Sequence, residues 1–281
     1  MTQTVVMPPR AQLAQLQRTY ADAIRARRNQ LYVGLALAAV AFALAWIGAE
    51  VSPSAFVDKI GNFTGYFGRI LHLDSGAIVL SDPTEWFWGL KRWSRLLLET
   101  LLIAYVGTCT GFVFGFIGCF LCSANLITSA ALRFTVRRVL EICRTVPDIV
   151  FALIFVVAFG LGPLAGVMAI AIHTTGALGK LYSEVVESID MAPVEGIGAT
   201  GGTWFERVRF GVLPQVLSNF VSYALLRLEV NVRGAAVMGF VGAGGIGEEL
   251  IVAIRKFYYS DVSAILVMLI ACRMLAMERG A

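Results

Sequence analysis

Apolar residues in this chain fall into long runs without a charge, separated by short basic stretches. Residues 31–49 form one run, 100–132 a longer one, and 149–179 are long enough for most of two membrane crossings. About 20 apolar residues span a bilayer as a helix, and a lipid-exposed backbone must satisfy its own hydrogen bonds. The runs at 210–226 and 262–272 are shorter and need their flanks to complete a span. The pattern predicts six helices, at approximately 31–49, 97–121, 146–161, 163–182, 217–239 and 258–277. The last carries Asp261 and Arg273 inside it. The fold class is therefore all-α, a polytopic membrane protein.

Lysine and arginine between the runs predict the orientation. Arg10, Arg18, Arg25, Arg27 and Arg28 precede the first run and put the N-terminus in the cytoplasm. Six crossings then place Arg133, Arg137, Arg138, Arg144, the segment 183–216 and the C-terminus on the inner side. Lys91, Arg92 and Arg95 fall outside, against the rule. The chain divides into a cytoplasmic amphipathic tail (1–30), a first span with an outer interfacial segment (31–95), and a core (96–281) that carries a cytoplasmic segment at 190–215. Leu13, Leu16, Tyr20 and Ile24 recur at helical spacing, which fits a helix on the inner membrane surface and a solvated helix equally. Phe56, Ile60, Phe63, Phe67 and Ile70, with Trp86, Trp88 and Trp93 nearby, read as interfacial aromatics. The basic tail is too long for a cleavable signal, and no small-residue cleavage site follows.

Composition agrees: 58% of residues are apolar and 15% charged, against roughly 25% charged in ordinary globular domains. Mean hydropathy is +0.75. The net charge of +4 is spent on topology, so no nucleic-acid partner is expected. His72 and His173 lie on opposite sides of the second predicted helix with no carboxylate cluster, so no metal site is expected. His173, beside Thr174 and Thr175, fits a hydrogen-bonded packing role or a pathway role. Cys119 and Cys122 read as small core residues of an apolar helix. There is no G-x-x-x-x-G-K-[ST] loop, so ATP hydrolysis by that route is excluded. No catalytic residue is assigned, and no internal repeat of the secondary-transporter kind is seen.

"FVGAGGIGEE" at 240–249 satisfies G-x-G-x-x-G through Gly242, Gly244 and Gly247, with Asp261 beyond. A dinucleotide site would need a strand before it and a helix after it. Here the glycines follow a predicted membrane helix, so Gly242, Gly244 and Gly245 are assigned to a sharp turn near an outer gate.

The polar stretch "VEGIGATGGTWFERVRFGVLPQ" at 194–215 carries more. Pro193 suits the first turn of a helix, which Gly198, Gly201 and Gly202 end. Thr203-Trp204-Phe205-Glu206 then has the capping-box pattern. Trp204, Val208 and Val212 share a face, Arg207 and Arg209 point elsewhere, and Pro214 is expected to stop the helix. Spacing alone fits both a docking element for a cytoplasmic partner and a loop folded on its own bundle.

This stretch resembles the pattern E-A-A, three residues, glycine, nine residues, I-x-L-P of bacterial ABC importer membrane subunits. Glu195, Gly201, Leu213 and Pro214 stand in register, while Gly196, Ile197 and Gly211 replace the usual alanines and isoleucine. "LRLEVNVRGAAVMGFVGAGGIGEEL" and "RTVPDIVFALIFV" are similar to phosphonate importer permeases, and the resemblance covers roughly 95–270. It implies a MetI-like fold, and a coupling role for Glu195, Gly201, Thr203, Trp204, Glu206, Arg207, Leu213 and Pro214. It also implies a second copy of the chain, ABC ATPase subunits holding ATP and Mg, and a periplasmic or lipid-anchored phosphonate-binding protein; this chain would bind no cofactor. The alternative is a gradient-driven secondary transporter or channel for a small anion.

Arg227, Glu229, Asn231 and Arg233 fall in the fifth predicted span, where each central charge costs about 2.5–3.5 kcal/mol on insertion scales. Glu229 and Arg233 are four apart and can neutralise each other; Arg227 and Asn231 share a second face. The Glu229–Arg233 pair reads as a staple of the bundle, with an anion pathway as the alternative, and Arg227 reads as a pathway or dimer-interface residue.

Overall fold

The computed structural model describes residues 10–49, 52–73 and 75–278, and the side chains of 10–17, 53, 55, 273 and 275–278 are not among the described ones. The side chains of Arg10, Leu13, Leu16 and Arg273 therefore lie outside what is described. The chain forms two units, residues 1–65 and 66–281.

In the first unit, α1 (Arg10–Gly48) is one helix of 39 residues, about 58 Å long at 1.5 Å per residue. The tail runs into the first apolar run without a break, because no proline interrupts it. Tyr20 and Ile24 are exposed, as is the rest of 18–49. α2 (Pro53–Ile70) follows and crosses the unit boundary; Phe56, Ile60, Phe63 and Phe67 are exposed on it.

The second unit opens with α3 (Pro83–Trp86), capped by Asp82, whose Oδ1 accepts from the N–H groups of Thr84 at 3.0 Å and Glu85 at 3.1 Å. Then come α4 (Leu90–Cys122), α5 (Ala130–Thr145), α6 (Asp148–Phe159) and α7 (Pro163–Glu187). The short helices α8 (Ala192–Ala199) and α9 (Trp204–Glu206) lead through a π-helical segment, Arg207–Val212, into α10 (Leu213–Met238). A 3-10 turn at Gly239–Val241, α11 (Ile246–Arg255) and α12 (Tyr259–Glu278) complete it.

Among the described residues, three helical stretches are long and apolar enough to cross a membrane: Arg18–Gly48, α4 and α7. Two bent pairs would raise the number to five: α5 with α6 at 88°, and Trp204–Val241 with α11 at 47°. The apolar part of α12, Tyr259–Cys272, is shorter. The predicted span at 146–161 is thus only the 12 residues of α6, about 18 Å against a hydrocarbon core near 30 Å. Its partner α5 occupies what reads as a basic loop. It is amphipathic, and it seats Leu140 against Gly176 and Gly179 of α7. Pro147 causes the bend by holding Val146 extended (ψ 125).

α4 and α7 form the central seam. Gly107, Gly111 and Gly115 recur every four residues on α4, and a Cβ on Gly111 would lie 2.6 Å from the Thr174 Cβ. Small residues let backbones approach where no hydrophobic effect drives association. Toward the 190–215 end, Tyr182 stacks on Phe220 at 4.0 Å and donates its hydroxyl to the Phe220 carbonyl at 2.8 Å. Cys119 is buried in the same cluster and Cys122 beside it, both as free thiols.

Candidate functional site

α7 and α10 meet at one end of the unit, and the segment 190–215 connects them there. α8 ends in a Schellman turn: Gly202 N–H donates to Ile197 O at 3.0 Å, Gly201 N–H donates to Gly198 O at 3.0 Å, and Gly201 has φ +87. That φ is costly for a residue with a Cβ. The capping box then forms as its spacing predicts. Glu206 N–H donates to Thr203 Oγ1 at 3.4 Å, and Thr203 N–H donates to Glu206 Oε2 at 2.6 Å. Thr203 Oγ1 also donates to Glu206 Oε2 at 2.8 Å, and the two bonds to the carboxylate, the backbone one first and the hydroxyl next, hold the Glu206 carboxyl below its usual range.

Trp204 and Val208 pack with buried Val194 and Val212. Glu195 is exposed, Leu213 is half-buried and Pro214 is exposed. Two details differ from expectation. Arg207 does not turn away: it lies along α8 beside Gly198 and lines a groove with Asn125, Met191, Glu195 and Trp204. Pro214 does not stop the helix. Leu213 N–H reaches back five residues to Val208 O, and this wider turn clears the proline ring, which in α register would strike the carbonyl four residues earlier. Gln215 escaped the sequence reading. Its Nε2 donates to Gly211 O at 2.6 Å and Asp190 O at 3.1 Å, while its Oε1 accepts from Asp190 N–H at 3.2 Å. It closes both ends of the segment on one point; the only hint was its place after leucine–proline.

A polar layer lies mid-helix. Asn231 is buried and donates to Thr108 Oγ1 at 2.8 Å and Thr174 Oγ1 at 2.9 Å, joining α4, α7 and α10. Arg227, one turn earlier, donates through its terminal nitrogen to His173 Nδ1. Because guanidinium cannot accept, Nδ1 is the unprotonated nitrogen. Arg227 Nε is buried without a partner. The structure thus brings Arg227 and Asn231 to α7, as their shared face predicts, and adds His173. Glu229 and Arg233 are exposed on other faces of α10.

The glycine turn sits at the opposite end. Gly242, Gly244 and Gly245 have φ of +82, +83 and +83, and Gly242 O accepts from Gly162 N–H at 2.9 Å, tying the turn to the α6–α7 connection. The start of α11 is filled by the chain itself: Gly245 N–H donates to Glu99 Oε1 at 3.2 Å and Ile246 N–H to Thr100 Oγ1 at 2.9 Å. Asp261 accepts from Trp88 Nε1 at 2.8 Å. No pyrophosphate site remains there. Arg92, which broke the orientation rule, pairs with Glu249 of α11 at 2.7 Å.

Residues 107–277 match the family described as binding-protein-dependent transport system inner membrane component. A phosphite transport system permease protein of Stutzerimonas stutzeri is 39% identical over 66% of this chain and 67% of its own length. A phosphate-import permease protein of Mycolicibacterium smegmatis is 34% identical over 83% of this chain, which spans only 42% of that longer relative. Among solved structures, a chain of the MetNI methionine ABC transporter, from work on its inward-facing conformations, superposes with a TM-score of 0.60. It is 25% identical, with 71% of this chain and 95% of that chain covered. Helix content, seam and matched residues agree: this chain is a multi-pass permease with the MetI-like fold, a transport component and not an enzyme, and it belongs to the binding-protein-dependent transport system inner membrane component family.

Proposed function

We propose that the chain carries a phosphorus oxyanion, of the phosphonate, phosphite and phosphate class, across the bacterial inner membrane, driven by ATP hydrolysis in a separate subunit. Two copies form the passage, a binding protein delivers the anion from outside, and the segment 190–215 faces the cytoplasm and meets the ATPase. ATP and Mg belong to that partner, and this chain holds neither. The relatives named for phosphite and phosphate transport support the cargo class.

The observation that carries the reading is the two-sided build of 190–215. Its inner face buries Val194 and Val212, while the capping box and Gln215 hold its two turns. Its outer face presents Glu195 together with Phe205, 77% exposed, and Phe210, 61% exposed. Aromatics this exposed, beside a charge on a rigid hairpin, are what a partner's groove accepts. The test is uptake in proteoliposomes holding the chain, its ATPase and its binding protein. Glu195→Lys and Gly201→Val each lower ATP-driven uptake about tenfold while the chain stays folded and inserted. Unchanged uptake in both, or uptake driven by an ion gradient without ATP, removes the reading.

A further inference from the structure

Beyond the Arg227–His173 contact, one face of α7 gathers charge in a concavity left open among the described residues of the second unit. His173, Ala177, Lys180, Leu181 and Glu184 share that face, and Arg144 at the end of α5 lines the same concavity. His173 and Lys180 are half-exposed and Arg144 is exposed. Lys180 stands about 10 Å along α7 from His173, toward the 190–215 end. Two groups have bonding capacity to spare: the Arg144 side chain, for which no hydrogen bond or ion pair forms among the described residues, and Arg227 Nε, which is buried and unpartnered. Lys180 pairs with Glu184 at 3.1 Å.

An uncovered face bearing cations at membrane depth must meet water or another polar surface, since lipid excludes it. Its cations come from two helices, α5 and α7, and Arg227 of α10 stands behind His173. A carboxylate ligand offers two acceptor oxygens; a tetrahedral oxyanion offers three or four, enough to engage both helices at once. In the lining, two cations (Arg144, Lys180) stand against one carboxylate (Glu184). This leaves a modest positive excess that attracts an anion without trapping it, as conduction requires.

We infer that this concavity, lined by Arg144, His173 and Lys180 and backed by Arg227 through its contact with His173, is a transient site for the transported phosphorus oxyanion between mid-membrane and the 190–215 end. The Arg144 guanidinium and the Lys180 ammonium are its donors. The inference rests on the proposed cargo class, and the experiment separates the two. Uptake of phosphite, phosphate and methylphosphonate is measured in proteoliposomes with the ATPase and binding protein, beside ATP hydrolysis. Arg144→Gln and Ala177→Asp, both at positions open to the surface, each lower uptake per ATP hydrolysed at least tenfold, while the loaded binding protein still stimulates hydrolysis. Arg227→Lys lowers it less than Arg227→Gln. Unchanged uptake per ATP in both Arg144→Gln and Ala177→Asp overturns the site and leaves the importer reading standing. A wild-type chain that moves none of the three anions removes the cargo class, and the site with it.

Discussion

Asn231 shows how a single side chain sets the spacing of three helices. Its amide gives two hydrogen bonds, one to each neighbouring helix, and in membranes such bonds average about 0.6 kcal/mol with a maximum near 1.7. Asn231→Ala removes both and leaves a small void, so we expect a loss of about 1–2 kcal/mol, read as a lower Tm in detergent. Glu206 makes a second prediction. Its folded carboxyl sits below the usual 4.5, so its contribution is fully present above that value and disappears as pH falls through the folded one. Amide exchange of 203–210, corrected for intrinsic rate, stays slow from pH 7 down to the ordinary carboxylate range and quickens below it. Glu206→Ala abolishes the pH dependence. Both residues could be read from the sequence: Glu206 from its three-residue spacing to Thr203, and Asn231 as a polar group in an apolar helix. The bonding of His173 to Arg227 could not, because it joins residues 54 apart whose relative rotation only helix packing decides.

Among the elements, those with a local cause were legible. α4 and α7 follow from charge-free length, α8 from Pro193 and the glycines after it, and α9 from its cap. α5 was hidden because its arginines read as a loop, although its apolar positions keep a helical period. The run-through at Pro214 was hidden for another reason: proline normally ends a helix, and only a π-turn ahead of it removes the clash. The bulge and the proline should therefore be energetically coupled. Deleting Arg209 restores α register and drives the Pro214 ring against a carbonyl, at a cost of about 3 kcal/mol. The same deletion made with Pro214→Ala costs much less. Equilibrium unfolding of the two single variants and the double variant measures this non-additivity.

For the whole molecule, the sequence predicted an all-helical membrane protein and most of its apolar spans, but not how they cross. Among the described residues three stretches qualify alone and two more only as bent pairs, because α6 is too short to cross without α5 and α11 continues α10 only across the 242–245 turn. The arginine distribution predicts a cytoplasmic 190–215 segment, and direct measurement tests it. In a background without reactive thiols, Phe205→Cys should react with an impermeant maleimide in inverted vesicles and stay unreactive in intact cells; the opposite pattern reverses the topology. Gln215 has a consequence at this scale as well. With Asp190 and Gly211 both fastened to it, the hairpin's two roots share one fulcrum, so a load on its tip arrives at α7 and α10 as a single torque. Neither helix can be pulled without the other, and any stroke delivered there turns the whole Tyr182–Phe220 stack as one body.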